Sequence, residues 1–373
     1  MAFRSILRVI WRICKYLLVL MVLLAIAIVA FLYLAPTFGA NPSGESLERV
    51  KASPNYRDDQ FVNLQPMQLS TRDPSEPMDV ATYFFPPENK NPNAPLPSVE
   101  FDSNKLVNET FAWLGHSSII FKTDSMVVLA DPVFNRASPV PLVGNPFPMQ
   151  SSPMVTALPD IDVVVISHDH YDHLDHRAIA DLQATTGHFL VPLGIGAHLR
   201  RWGVPEGKIT ELDWYQSNTI NNTKFTLTPA RHFSGRGLTN RYKTLWGSWV
   251  INSPQLNVFF SGDTGYFDEL AKIGNDYGPF DIAFLENGAY SLDWTQVHMM
   301  PEESVQAAID LQSNVYFPIH WGKFDLAQHI WKDPIIRATK KAESLDVTIT
   351  TPVVGEVFSL DKLPQQQWWT NAD

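Results

Sequence analysis

The chain has 373 residues, 45% of them hydrophobic, and sets 28 Lys and Arg against 39 Asp and Glu for a formal net charge of −11. That acidic balance gives no footprint for nucleic acid and weighs against a nuclease. A single cysteine, Cys14, excludes a disulfide framework, without excluding an oxidising compartment.

Residues 16–35 run for about twenty positions without a charge, long enough to cross a bilayer as one helix. Arg4, Arg8, Arg12 and Lys15 precede this run with no acid among them, and the next basic residue is Arg49. The positive-inside rule therefore predicts a cytoplasmic segment over residues 1–15, a transmembrane anchor over 16–35, and the rest of the chain outside the cytoplasm, on the periplasmic side in a bacterium. A cleaved signal peptide is the rival reading. The apolar run exceeds a usual signal core, however, and Thr37-Phe38-Gly39-Ala40 makes a poor cleavage site. Residues 36–105 are polar and punctuated by proline, as in Asn91-Pro92-Asn93-Ala94-Pro95, and read as a linker and wrapping segment with few regular elements. Residues 106–373 suit one α/β domain.

Within that domain, His168-Asp169-His170-Tyr171-Asp172-His173 follows the apolar run of residues 161–166. A buried parallel strand ending at Ser167 would place this loop where layered α/β folds carry their sites. His168 and His170 can face one cation while Asp172 and His173 reach a second. The same pattern of a strand followed by a ligand recurs downstream. Residues 225–228 lead to His232, residues 256–260 lead to Asp263 in Ser261-Gly262-Asp263-Thr264-Gly265, and residues 315–319 lead to His320. Five imidazoles and two carboxylates without a thiolate favour zinc, with iron or manganese also suited. Cys14 lies before the apolar run and cannot contribute.

These residues resemble the metallo-β-lactamase superfamily, and within it the N-acyl-phosphatidylethanolamine-hydrolysing phospholipase D branch with its bacterial relatives. The narrower likeness rests on Trp113-Leu114-Gly115-His116-Ser117, Ala130-Asp131-Pro132, Leu245-Trp246-Gly247-Ser248-Trp249, Glu286-Asn287-Gly288-Ala289-Tyr290 and Ile319-His320-Trp321-Gly322. The resemblance implies an αββα sandwich and two zinc ions. His168, His170 and His232 would hold one ion, Asp172, His173 and His320 the other, and Asp263 would bridge them. Asp172 would also orient the attacking water, and His298 would face the substrate. Val297 and Met300 stand beside His298 where that branch usually has Gln and Asp. His116 would support the site, and Asp131 would orient a histidine ligand or cap the turn before Pro132.

The implied activity is that of a membrane-anchored binuclear zinc phosphodiesterase, with a phospholipid or other small phosphodiester and the membrane as partners and a homodimer allowed for. A lactonase or other ester or amide hydrolase is the alternative, because the same centre can attack carbonyl carbon. A non-catalytic binding protein is the third reading, disfavoured because no ligand is missing. The tail pair Trp368-Trp369 can touch a membrane interface or dock on the domain.

Overall fold

A computed structural model describes residues 2–73 and 85–372. The stretch read as a linker thus lies partly, at residues 74–84, outside the described residues.

Helix α1 (Ala2–Leu34) has 33 residues, a length of about 50 Å at 1.5 Å per residue. It extends through the basic segment as well as the apolar run, since neither Gly nor Pro interrupts the chain before Pro36. Over residues 3–34 it is long and apolar enough to span a membrane, a test that a signal sequence near an N-terminus also passes.

The following segment is wrapped onto the domain more regularly than its composition suggests. Helix α2 (Gly44–Ala52) carries Arg49, which pairs with the buried Glu211 at 2.5 Å. The hairpin β1 (Tyr56–Arg57) and β2 (Gln60–Phe61) follows. Val50 and Phe61 are fully buried in the central core, so the segment contributes packing besides reach.

Two sheets make the body. The seven-stranded sheet runs β15 (Val357–Ser359), β3 (Thr110–Trp113), β4 (Ile119–Thr123), β5 (Met126–Ala130), β6 (Ile161–Val165), β7 (Thr186–Pro192) and β8 (Ile209–Leu212). The six-stranded sheet runs β14 (Tyr316–Ile319), β13 (Ile282–Glu286), β12 (Asn257–Phe260), β11 (Ser248–Asn252), β10 (Thr223–Thr228) and β9 (Ser217–Ile220). Each sheet is antiparallel through its hairpins and turns parallel beyond β5 and β12 respectively. This half-repeat lives in topology and left no periodic trace in the sequence.

The facing sides of the sheets meet in one core that includes Phe111, Val163, Val165, Phe225, Trp249 and Phe317. In β6, Val163 and Val165 point into that core, while Val164 packs outward beneath α3 (His176–Leu182) and α4 (Gly196–Arg201). Burial on both faces explains why the strand reads as an unbroken apolar run. The other sheet is covered by α5 (Glu269–Tyr277), α6 (Pro301–Asp310) and α7 (Asp333–Ser344). The architecture is thus αββα. Trp368 and Trp369 are buried against it, Trp368 stacking on Trp321 at 5.1 Å, so the tail pair docks on the domain.

Candidate metal centre

Parallel strands β5, β6, β12, β13 and β14 end on one edge, and the chain delivers Asp131, the 168–173 loop, Asp263, Glu286 and His320 directly after or at those ends. His232 follows β10 on the same edge. The turns are tight. At Gly262, φ is +56° and an added Cβ would lie 2.4 Å from Ser167 Cβ, so only glycine lets Asp263 approach the first loop. His116, Asp131 and His320 hold positive φ of 56°, 39° and 66°. Left-handed backbone at three non-glycine residues around one cleft is strain that the surrounding packing must hold.

The donor atoms fall into two sets. Nε2 of His168 lies 2.9 Å from Nδ1 of His170, which lies 3.2 Å from Nε2 of His232. Asp263 Oδ2 is 3.7 Å from both His168 Nε2 and His232 Nε2. In the second set, Nε2 of His173 and of His320 stand 3.0 and 3.1 Å from Asp263 Oδ1. Asp172 Oδ2 is 3.5 Å from His173 Nε2 and 3.3 Å from His320 Nε2. Each oxygen of Asp263 therefore serves a different set. Donors about 2.0–2.2 Å from a tetrahedral ion lie roughly 3.3–3.6 Å apart, and the observed spacings bracket that range.

Burial and charge prepare these groups. Burial holds His168 and His232 well below the usual imidazole range and lowers His170, which leaves neutral rings with lone pairs to offer. Burial also depresses His173 and His320, but Asp263 and Asp172 overcome it and raise both, His320 to about 10. Burial would raise Asp172 and Asp263, yet the neighbouring histidines hold both well below the carboxylate range. His173 Nε2 and Asp263 Oδ1 are buried without a hydrogen-bond partner and face one another. Orphaned polar atoms converging from two sides fit a cation between them, whose binding would release the imidazole protons.

Behind the donors stands a second layer of contacts. Asp131, fully buried, accepts from His173 Nδ1 at 2.7 Å, from Ser167 Oγ at 2.5 Å and from Ser167 N at 2.7 Å. Ser167 Oγ in turn lies 2.9 Å from His168 Nδ1. Asp131 thus orients one imidazole of each set. Its backbone carbonyl also accepts from Ser118 Oγ at 2.7 Å. His232 Nδ1 donates to the carbonyl of Val297 at 2.9 Å. The departure at Val297 therefore leaves this contact intact, because only its backbone takes part. His116 lies beside the second set, with Nε2 3.1 Å from Asp172 Oδ2, and burial lowers its pKa to about 3.

His298 sits at the rim, its ring 5.1 Å from that of His232 and 5.3 Å from that of His320. Its Nδ1 is 3.1 Å from Oε2 of Glu286. Glu286 was not singled out as a site residue in the sequence, although it ends a strand as the other acids do. It is fully buried, accepts from Thr264 N and Met299 N at 3.0 and 2.5 Å, and has its pKa raised by burial. Asp169 faces away from the donors. It accepts from Gly235 N at 2.7 Å and Thr244 Oγ1 at 3.0 Å and meets His198 Nε2 at 3.2 Å, fixing the loop from behind.

Fold and site together define a metal-dependent hydrolase of the metallo-β-lactamase fold. Residues 127–321 match the Beta-lactamase superfamily domain, and the chain belongs to that superfamily. An uncharacterized protein of Mycobacterium tuberculosis is 42% identical over 333 residues, which cover 85% of this chain and 87% of that protein. The N-acyl-phosphatidylethanolamine-hydrolyzing phospholipase D 1 of Caenorhabditis elegans is 31% identical over 299 residues, covering 74% of this chain and 83% of its own. Among solved structures, Igni18, a metallo hydrolase from Ignicoccus hospitalis, aligns with a TM-score of 0.51 at 22% identity, over 67% of this chain and 97% of that one.

Proposed function

We propose that the chain is a membrane-anchored, two-zinc phosphodiesterase that cleaves phospholipids on the headgroup side, N-acyl-phosphatidylethanolamine among them. The observation that carries this reading is the division of Asp263 between two donor sets in a chain similar to a phospholipase D over 83% of that enzyme's length. The nitrogen-rich, thiolate-free donor set suits zinc. Two such cations supply a water of lowered pKa together with positive charge for the phosphoryl oxygens.

The protein's own groups do the rest. Asp263 fixes the separation of the two sets through its paired oxygens. Asp172, whose side chain is 14% exposed, stands at the mouth, where it can accept a hydrogen bond from the attacking water and turn its lone pair toward phosphorus. His298, steadied by Glu286, faces the headgroup side. A bond forms between the water oxygen and phosphorus, the bond from phosphorus to the headgroup alcohol oxygen breaks, and a proton passes to that alcohol. Phosphatidic acid and the free headgroup alcohol, an N-acylethanolamine where the substrate is N-acyl-phosphatidylethanolamine, are the products. Helix α1 would hold this chemistry beside its substrate, with the basic N-terminus in the cytoplasm and the domain on the other side.

Oxygen-18 water with N-acyl-phosphatidylethanolamine, phosphatidylethanolamine and an acyl-homoserine lactone in competition tests the reaction. Label in the phosphate product is expected. Label confined to a carboxylate, with the phosphodiesters intact, would replace this reading with the lactonase one. Metal analysis of the same preparation is expected to give about two zinc per chain, and iron or manganese in their place would correct the cofactor alone.

A further inference from the structure

Helix α1 does not hang from a flexible tether. Its last turn and the residues after it are bonded to the domain on the side of α4. Arg201 Nη2 donates to the carbonyls of Tyr33 and Leu34, each at 3.2 Å. Trp202 Nε1 donates to the carbonyl of Pro36 at 2.7 Å, and Arg236 donates to that of Thr37 through Nε at 3.0 Å and Nη2 at 2.9 Å.

Two loops of the domain flank this exit. The first, residues 137–144, is closed by Ala137 N donating to Gly144 O at 2.8 Å. It presents Val140, Leu142 and Val143 at 46%, 90% and 58% exposure. Leu142 is held at a φ of 77°, a backbone state unfavourable for leucine, and buries almost none of its side chain in return. The second loop, residues 237–240, presents Leu238 at 83% exposure and lines a cavity together with Leu32 and Tyr33 of the helix end and Phe38 just after it. Large apolar side chains grouped around the exit of an apolar helix mark a surface built for something other than water.

Between the first loop and the helix lies a cavity of about 200 Å³, lined by Phe31, Pro36, Pro139, Tyr171, Arg136 and Arg177. The guanidinium groups of Arg136 and Arg177 have no hydrogen bond or ion pair among the described residues. Two unpaired cations beside an apolar rim match the phosphate of a lipid headgroup with its acyl chains alongside the helix.

We propose that this collar is a bilayer-docking surface, in which Leu142 and Leu238 enter the membrane interface around α1 while a phospholipid phosphate occupies the cavity between Arg136 and Arg177. The proposal rests on the reading of α1 as an uncleaved membrane anchor. It places the edge of the metal loop, through Tyr171, against the lipid surface.

The test uses the full chain in lipid nanodiscs, with Cys14→Ser and a single fluorophore-bearing cysteine at Leu142, Leu238 or, as a control, Leu345. Leu345 caps α7 in the opposite helical layer and is 39% exposed. Doxyl-labelled phosphatidylglycerol or phosphatidylcholine serves as quencher, and intact mass with resistance to alkaline extraction reports whether α1 is present and inserted. Quenching at Leu142 and Leu238 but not at Leu345 is expected. Preference for phosphatidylglycerol over phosphatidylcholine at Leu142 is expected to fall about fivefold in each of Arg136→Gln and Arg177→Gln, from the contribution of one arginine near an anionic surface. An inserted α1 with no quenching at either leucine overturns the docking surface and leaves the anchor standing. A chain that lacks α1 or releases it from the bilayer overturns the anchor and the proposal with it. Unchanged lipid preference in both arginine variants overturns the phosphate site.

Discussion

Asp131→Asn probes how the two donor sets are coupled. The substitution keeps the volume but puts an N–H₂ group where His173 Nδ1 at 2.7 Å and Ser167 Oγ at 2.5 Å now donate to one oxygen. Whichever way the amide turns, at least one buried donor is left facing another donor, a loss of about 1–3 kcal/mol for the fold. Because His173 belongs to one set and His168, reached through Ser167 Oγ at 2.9 Å, to the other, both sets lose an oriented imidazole. Loss of an outer partner of this kind weakens metal binding by about 10–100-fold, which is about 1.4–2.7 kcal/mol per ion. Competitive titration against a chromophoric chelator resolves the two affinities, and a melt of the loaded protein reports the fold separately. Both affinities should drop. Wild-type affinity in both would refute the orienting role of Asp131, and a loss confined to one ion would refute the relay through Ser167.

Three further outcomes are expected. Asp263→Asn should cost far more activity than His298→Ala, on the order of 100-fold or more for a residue that touches both sets; kcat/KM of the two variants on the same phosphodiester compares them, and equal mild losses with full metal content would rule out the bridge. In the metal-free protein, the raised pKa of His320 stabilises the fold fully below about 6.5 and is lost as pH rises toward about 10. The melting difference between wild type and His320→Gln, measured in chelator, should therefore shrink over that window, and a difference that grows would reverse the assignment. Protease added to spheroplasts should digest the domain while sparing the basic first half of α1, and protection of the domain until lysis would invert the topology.

The ligand-bearing loops were legible because parallel strands buried on both faces write continuous apolar runs, and the next residue is then forced to the open edge. His168, Asp263 and His320 follow such runs, whereas His232 follows the alternating, antiparallel β10, and the structure brings all four together. Glu286 stood in a motif that carries the resemblance but was given no role at the site, because it is the last residue of its strand and meets His298 twelve residues on, a contact with no local signature. Asp169 sits between two predicted ligands and could not be told from one by spacing, since pleat and turn decide which carboxylate faces inward. The wrapped segment was the least readable. Its ties, Ala40 N to His198 Nδ1 at 3.0 Å and Arg49 to Glu211, join residues about 160 positions apart, and prolines between them spoke for a linker.

The Thr37 carbonyl takes two of the hydrogen bonds of Arg236, whose third nitrogen, Nη1, donates to the carbonyls of Asp169 at 2.6 Å and Leu174 at 2.7 Å. The border between helix α1 and the domain is therefore no seam along which the molecule can be cut. A shortened version beginning after residue 40 would strip the Thr37 carbonyl from a side chain that is only 3% exposed in the full chain and admit water directly behind the backbone that presents His170 and Asp172. Versions that start at Pro36 retain Thr37, Gly39 and Ala40 and with them the backing of the metal loop. Shortened forms that differ by these five residues at the front should thus differ in how firmly they hold metal ions, although neither cut touches a donor atom.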